Sequence, residues 1–130
     1  MKILLDTHAF IWFDSSPKKL SQKALAACLS EDNQLFISHV SLWEMQIKHQ
    51  LGKLTLSQPL PELVKSQQTD NGLILLNIDA SHIYGLSQLE SHHRDPFDRL
   101  LIAQAIEDNL TLMSVDERIQ QYQPQVQLLW

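Results

Sequence analysis

Features that would mark several classes of protein are scarce or absent in this chain of 130 residues. Its single cysteine, Cys28, cannot form an internal disulfide, and no cysteine-rich zinc motif is present. Cys28 lies among alanines and leucines, so we expect it to be a small buried side chain. No apolar run is long enough for a membrane span. Only three strong hydrophobes precede Asp6, so we expect no signal peptide and a cytoplasmic protein.

Positively charged residues are also few. Lysine and arginine total 10 against 15 aspartates and glutamates, for a formal net charge of −5. Proteins that bind nucleic acid through a generic basic surface have the opposite balance, so we do not expect that mode of binding. A nuclease remains compatible, because a bound metal and a local basic rim attract phosphate. The length and the 44% hydrophobic content indicate one folded domain over residues 1–130.

Short apolar segments alternate with helical ones along the chain. Consecutive apolar positions are typical of strands buried on both faces, and they occur at residues 2–5, 35–38, 73–78, 111–115 and 126–129. Helical stretches separate them, at residues 7–13, 21–31, 39–51, 60–68, 80–88, 96–109 and 117–121. In the second of these helices we expect Cys28 and Leu29 to face inward. The order predicts a single α/β domain with a mostly parallel sheet.

Four carboxylates lie where such a fold brings distant residues together. Asp6 and Asp116 follow apolar segments, at the carboxyl ends of strands where parallel sheets bind ligands. Glu44 interrupts the apolar stripe of its predicted helix, and Asp98 shares a helix face with apolar residues such as Leu101. Because like charges repel, proteins gather acids mainly to hold a metal or to share protons. We therefore interpret the four acids as a divalent-metal site.

Each acid also has an ordinary structural explanation. Asp6 and Asp116 would cap the helices that follow them, because an aspartate accepts hydrogen bonds from the free amides there. Glu44 would form a capping box with Ser41. Against this, Glu44 lies inside an apolar stripe, where a carboxylate requires a partner. That stripe comprises Val40, Trp43, Ile47 and Leu51.

The segment around Asp98 carries both kinds of signal. Asp95 suits the N-cap of a helix and Pro96 suits its first position. Asp98 then falls in the first turn, where the helix dipole favours negative charge. We expect Asp98 to point inward, with Asp95 as its structural neighbour and paired with Arg99 one turn later.

Other polar residues accompany these acids. Thr7 and Ser114 could each direct a hydroxyl to the same place, although local bonding to the backbone is the simpler explanation. The histidines show no metal-ligand spacing, so we expect residues 92–94 in a solvated loop. Four cations are candidates for a phosphate-contacting rim, with ordinary surface charge as the simpler explanation: Lys48, Arg94, Arg99 and Arg118.

Four segments together carry a family likeness. They are ILLDTH at residues 3–8, SHVSLWE at 38–44, DPFDRLLIAQA at 95–105 and SVD at 114–116. In this order they resemble the PIN domain and, more closely, the VapC-type toxins of bacterial toxin–antitoxin pairs. Two departures are a serine at position 114 in place of the usual threonine, and His8 where many relatives carry a small residue.

The resemblance implies a fold, an activity and partners. It implies a five-stranded parallel sheet between helices, in three α/β/α layers, and a metal-dependent endoribonuclease that uses Mg²⁺ or Mn²⁺. The family's acid positions match Asp6, Glu44, Asp98 and Asp116, and the four cations become candidates for an RNA rim. A homodimer and a small VapB-like antitoxin protein are implied as well.

Two other functions compete with this interpretation. One is a catalytically inactive PIN-like module that binds protein or RNA, in which the acids serve as caps and as a docking surface. The other is a phosphotransfer enzyme or a receiver domain with aspartates around Mg²⁺. The second aspartate of an Asp-x-Asp motif is missing after the first strand, and so are the acid pair and late lysine of a receiver.

Overall fold

A five-stranded parallel sheet forms the centre of the computed structural model, which describes residues 1–130. Its strands are β1 (Lys2–Leu5), β2 (Gln34–Ser38), β3 (Ile74–Leu76), β4 (Thr111–Met113) and β5 (Gln127–Leu129). Their order across the sheet is β3-β2-β1-β4-β5, with every neighbouring pair parallel. β1 is therefore the central strand, and Ile3, Leu4 and Leu5 are fully buried in it.

Seven α-helices connect and flank the strands. They are α1 (Thr7–Ser15), α2 (Gln22–Leu29), α3 (His39–Gln50), α4 (Leu60–Asn71), α5 (Ala80–Gly85), α6 (Pro96–Glu107) and α7 (Glu117–Gln120), with 3₁₀ turns at Pro17–Lys19 and Leu86–Gln88. None of these helices combines the length and the apolar composition that crossing a bilayer requires.

The sheet separates two apolar clusters. Successive side chains of a strand point to opposite faces, so Ile3 and Leu5 join one cluster and Leu4 joins the other. The first cluster packs against α1 and α2, where Phe10 and Cys28 are buried. The second packs mainly against α6 and the segment after β4. This arrangement confirms the predicted α/β fold with helices on both faces of the sheet.

In three places, apolar side chains that were predicted to be buried are exposed to solvent. Leu29 is 62% exposed at the end of α2, although the inward position of Cys28 is confirmed. On α3, Trp43 and Leu51 are exposed, because the helix turns a different face to the sheet. Ile74 is also exposed, since β3 is an edge strand with only one neighbour.

The chain reverses its direction across the sheet at β1. It first proceeds from β1 to β2 and β3, and then crosses to β4 on the opposite side of β1. Such a switch leaves a crevice beyond the carboxyl ends of the two strands, where α/β proteins bind ligands. The Asp6 amide donates to Met113 O at 3.1 Å, so Asp6 lies next to the end of β4. Asp6 and the residues after β4 therefore share this crevice.

The difference in burial between two leucines makes the packing testable. Leu4→Ala should lower the free energy of unfolding by about 2–5 kcal/mol, because it leaves a cavity under the central strand. Leu29→Ala should change it by about 0.5 kcal/mol or less, because that side chain is mostly in solvent. Urea unfolding followed by circular dichroism measures both values. Equal losses in the two variants would contradict the described burial.

Candidate functional site

Asp6 is both a helix cap and a buried acid at the crevice. Its carboxylate is 6% exposed and accepts a hydrogen bond from the Ala9 amide at 2.7 Å, which caps α1. Burial raises the pKa of Asp6, and the negative charge of Asp116 raises it further. A hydrogen bond from Ser114 opposes this shift. Capping and a place in the acidic site are therefore compatible for Asp6.

Glu44 is held by side chains from two helices. The N-cap of α3 is Ser38, which excludes the capping box of Ser41 and Glu44. Glu44 is instead 3% exposed, and its Oε1 accepts a hydrogen bond from Thr7 Oγ1 at 2.6 Å. Lys48 Nζ donates to Oε2 at 2.8 Å. Both carboxylate oxygens thus have partners, and the inward position of Glu44 places it at the site.

The Thr7 hydroxyl joins α1 to α3. Besides its bond to Glu44, Thr7 Oγ1 lies 3.0 Å from Ser41 Oγ, in a buried cluster of three polar side chains. Lys48 completes the surroundings of Glu44, and its hydrogen bond to Glu44 is the main cause of a raised Lys48 pKa. The negative charges of Asp95 and Asp98 also raise the pKa of Lys48. Lys48 is therefore a cation beside the acidic site.

Asp98 shows that the acids converge. Asp95 caps α6 by accepting from the amides of Phe97 and Asp98 at 2.8 and 3.2 Å, which leaves the Asp98 side chain directed elsewhere. Burial raises the pKa of Asp98 to about 7, and the charges of nearby acids add to the effect. Those acids are Asp95, Asp6, Glu44 and Asp116. Carboxylates from four separate parts of the chain thus act on one group.

Asp116 is the most solvated of the four acids. It caps α7, and its carboxylate accepts from the Arg118 amide at 2.8 Å and from the Arg118 guanidinium at 3.2–3.3 Å. Burial alone would raise the pKa of Asp116, but the hydrogen bonds and charge of Arg118, with a smaller contribution from His93, lower it. Ser114 Oγ accepts from the Asp116 amide at 3.1 Å, so this hydroxyl touches two of the acids.

His93 is a part of the site that the sequence did not reveal. The expectation of a solvated loop is wrong for this residue, whose side chain is fully buried. His93 Nε2 lies 2.9 Å from Asp98 Oδ2 and 3.3 Å from Asp116 Oδ2. Its position a few residues before Asp98 is the only signal in the sequence. Its second carboxylate partner lies 23 residues away, which only the fold brings near.

The predicted rim cations have different surroundings. Arg94 is exposed, and Arg118 is exposed beside Asp116. Arg99 does not form the expected pair with Asp95. Its guanidinium instead donates to the carbonyls of Leu86, Glu90 and His93 and to the Tyr122 hydroxyl. Arg99 therefore holds the loop that precedes α6.

The donor set suits a hard divalent cation. Carboxylate oxygens are the ligands that Mg²⁺ and Mn²⁺ prefer. Burial first, and then the charges of nearby acids, raise the pKa of Asp98 to about 7, and a bound cation would favour its charged form. One oxygen of Asp98 and one of Asp116 also lie within 4.8 Å of each other, with His93 beside both. The residues present could hold a metal ion at this crevice.

A parallel sheet that gathers carboxylates at its switch point defines an α/β protein with an acidic, metal-competent site. The sequence model of the PIN domain matches residues 3–123. Because this match spans nearly the whole chain, the chain belongs to the PIN domain family. The chain is also 28% identical over 130 residues to Ribonuclease VapC22 of Mycobacterium tuberculosis, with 98% of each chain covered.

Solved structures share the fold at lower sequence identity. A chain of VapBC2 from Rickettsia felis, crystallised with a DNA fragment from the promoter, superposes with a TM-score of 0.74 and 17% identity, covering 99% of this chain and 98% of that one. VapBC-1 from nontypeable Haemophilus influenzae gives a TM-score of 0.67 at 17% identity, with coverages of 99% and 97%. VapBC-5 from M. tuberculosis, described as a member of a family of toxin–antitoxin systems, gives 0.62 at 16%, with coverages of 98% and 97%.

The raised pKa of Asp98 predicts that the metal-free protein loses folding stability as pH rises. An acid with a folded pKa of about 7 and a usual value of 3.8 binds its proton more tightly when folded, so its favourable contribution is lost as pH rises between these values. Asp98→Asn should therefore gain stability over the wild type from pH 4 to pH 7, by a few kcal/mol at most, and stay level above pH 7.

Urea denaturation in EDTA at several pH values measures this difference. Asp32→Asn is the matched control, because it removes the same charge from an exposed turn and should give a flat difference. An Asp98→Asn difference that does not change between pH 4 and pH 7 would contradict the proposed electrostatic environment.

Proposed function

We propose that this chain is a metal-dependent endoribonuclease of the VapC type, which hydrolyses RNA phosphodiester bonds. The observation that carries the proposal is the set of contacts that link the four acids. His93 Nε2 lies 2.9 Å from Asp98 and 3.3 Å from Asp116, and the Ser114 hydroxyl contacts Asp116 and Asp6. Thr7, the neighbour of Asp6 in sequence, donates to Glu44 at 2.6 Å. The likeness to a protein named Ribonuclease VapC22 over nearly the full length supports the same activity.

The acidic cluster defines the cofactor class. We assign Asp6, Glu44, Asp98 and Asp116 as the residues that would hold Mg²⁺, with Mn²⁺ as the alternative ion. Mg²⁺ demands oxygen ligands, and it usually keeps several waters when bound to one or two carboxylates. When bound, the ion would act as a Lewis acid that activates water and offsets negative charge at the scissile phosphate.

The chain's own side chains preorganise this site. Thr7 and Lys48 hold the two oxygens of Glu44, and the Ala9 amide holds Asp6. Groups that are fixed before the substrate arrives need no rearrangement during the reaction, which is a major source of electrostatic catalysis. Ser114 couples Asp6 to the backbone of Asp116, so these two acids keep a defined relation.

RNA would approach from the side where cations border the acidic site. Lys48 is half-buried, bound to Glu44, and close enough to Asp98 for their charges to interact. Its ammonium is thus placed to contact a phosphate that enters the acidic site. Arg94 and Arg118 are exposed candidates for the same rim. Arg99 stays a weaker candidate, because loop carbonyls already occupy its guanidinium.

The proposed partners follow from the same likeness. We propose that the chain is the toxin of a toxin–antitoxin pair in the cytoplasm, that it forms a homodimer, and that a small VapB-like antitoxin blocks the site. The superposed structures include VapBC2 and VapBC-5, the latter a member of the VapBC family of toxin–antitoxin systems, which supports an antitoxin partner. A cluster of carboxylates is a suitable target for an antitoxin arginine, because guanidinium pairs with carboxylate in bidentate geometry.

Cleavage of RNA by purified protein tests the activity. The wild type should cut members of a panel of tRNA, rRNA and mRNA in Mg²⁺ or Mn²⁺, and EDTA should stop the reaction. Asp6→Asn should lower the rate by about 100-fold or more, because it removes a ligand charge with little change in volume. Asp70→Asn, at an exposed position of α4, is the control and should keep the wild-type rate. Cleavage by Asp6→Asn at the wild-type rate, with contaminating nuclease excluded, would refute the role of Asp6.

Thermal stability tests ion binding independently of RNA. A ligand that binds only the folded state stabilises it by about 2.7 kcal/mol when its concentration is 100 times its Kd. Millimolar Mg²⁺ or Mn²⁺ should therefore raise the Tm of the wild type by several degrees. Glu44→Gln should reduce this rise, whereas Glu62→Gln on the exposed start of α4 should preserve it. An unchanged Tm of the wild type at millimolar metal would refute a formed ion site.

A further inference from the structure

The loop that carries His93 is fixed by side chains from two other elements. The Tyr122 hydroxyl accepts from the amides of His92 and His93, each at 3.1 Å, and donates to Glu90 O at 2.6 Å. Arg99 donates to Glu90 O at 2.9 Å and to His93 O at 3.3 Å. Five hydrogen bonds thus hold the backbone of a segment with no regular secondary structure. The imidazole of His93 therefore leaves the backbone from a defined position.

The position of the ring proton follows from one backbone contact. The Asp95 amide lies 3.1 Å from His93 Nδ1, and an amide nitrogen can only donate a hydrogen. Nδ1 must therefore be the acceptor, so it carries no proton and the neutral ring carries its proton on Nε2. An Nε2 that bears a proton has no free lone pair for a metal. Metal ligation by Nε2 would require the other tautomer, which would break the bond from Asp95.

The Nε2 proton is directed at two acids of the proposed site. It is donated to Asp116 Oδ2 at 3.3 Å, and Asp98 Oδ2 lies 2.9 Å from the same Nε2, in close contact but without hydrogen-bond geometry. These carboxylates come from α6 and from the turn after β4, and their charges repel each other. The partial positive charge of this N–H lies beside both carboxylates, so it offsets their repulsion, and its hydrogen bond holds Asp116 Oδ2. Asp98 Oδ1 accepts no hydrogen bond and can face a cation, whereas Asp116 Oδ1 already accepts from the Arg118 amide and guanidinium.

We propose that His93 is a positioning residue, which aligns Asp98 and Asp116 for a cation by placing its Nε2–H against both carboxylates, and that it is not itself a metal ligand. This inference rests on the proposed metal-dependent function and adds a residue to it. Partners of metal-binding groups commonly change the affinity for the ion by about 10–100-fold when they are removed.

Two amide substitutions separate the functions of the two ring nitrogens. The longer side chain of His93→Gln can place an N–H near the position of Nε2, but it lacks the acceptor at Nδ1. The shorter His93→Asn can replace the Nδ1 acceptor, but it does not reach the two carboxylates. Both variants are neutral and polar, so a difference between them reports the Nε2 donor and not the loss of a buried ring.

Calorimetric titration with Mn²⁺ measures the effect without RNA. His93→Asn should weaken Mn²⁺ binding by about 10–100-fold, whereas His93→Gln should remain within about threefold of the wild type. RNA cleavage at saturating Mn²⁺ should recover more fully in the Gln variant than in the Asn variant. Similar weakening in both variants, or wild-type affinity in the Asn variant, would overturn the inference. If the wild type itself neither binds Mn²⁺ nor cleaves RNA, the proposed function fails first and this inference fails with it.

The tautomer provides a second readout that needs no variant. Nitrogen NMR of the histidine rings should show the His93 proton on Nε2 in the metal-free protein, and on the same atom with saturating Mg²⁺. A proton on Nδ1 in either state would overturn the inference. This measurement remains decisive if either substitution prevents folding.

Discussion

Repulsion among carboxylates that the fold forces together is the constraint on which this structure depends. Asp98 shows it most directly, since burial and the surrounding acids raise its pKa to about 7. No single interaction offsets this cost. Three of the acids have their own compensation: the Ala9 amide and Ser114 for Asp6, Thr7 and Lys48 for Glu44, and Arg118 with His93 for Asp116. Asp98 has the least, which makes it the acid that gains most from a bound cation.

The two apolar clusters supply the rigidity that this arrangement needs. They lie on opposite faces of the sheet and fix α1, α3 and α6 relative to the ends of β1 and β4. Burial of apolar surface is non-directional and large, so it can outweigh local electrostatic repulsion. The reversal of strand order at β1 then decides where the acids meet. The repulsion among the acids destabilises the site by itself. The site is nevertheless formed, because apolar packing away from it holds the helices that carry the acids.

For the aspartates, capping a helix proved compatible with a place in the acidic cluster. Asp6 and Asp116 each cap a helix, and each also lies at the acidic site. The bonds from the helix amides hold the carboxylates in place and stabilise their charge. Asp95 performs the capping of α6, so Asp98 is free to point at the other acids. Helix termini therefore serve here as supports for the site.

Local pattern alone predicted the strands and the helices, and it singled out four acids whose role in a metal site stays a prediction. Consecutive apolar residues predicted a parallel sheet, and acids at strand ends or on helix faces predicted a shared site, because these signals depend only on near neighbours in sequence. The orientation of each helix about its axis was harder to predict. Apolar spacing placed Trp43 and Leu29 inward, yet packing against the sheet left both exposed. The role of His93 and the inward turn of Arg99 were decided by tertiary structure, since Tyr122 and Asp116 reach that loop only after the sheet forms. Hydrogen bonds between residues so far apart in sequence produce no periodic pattern from which they could be predicted.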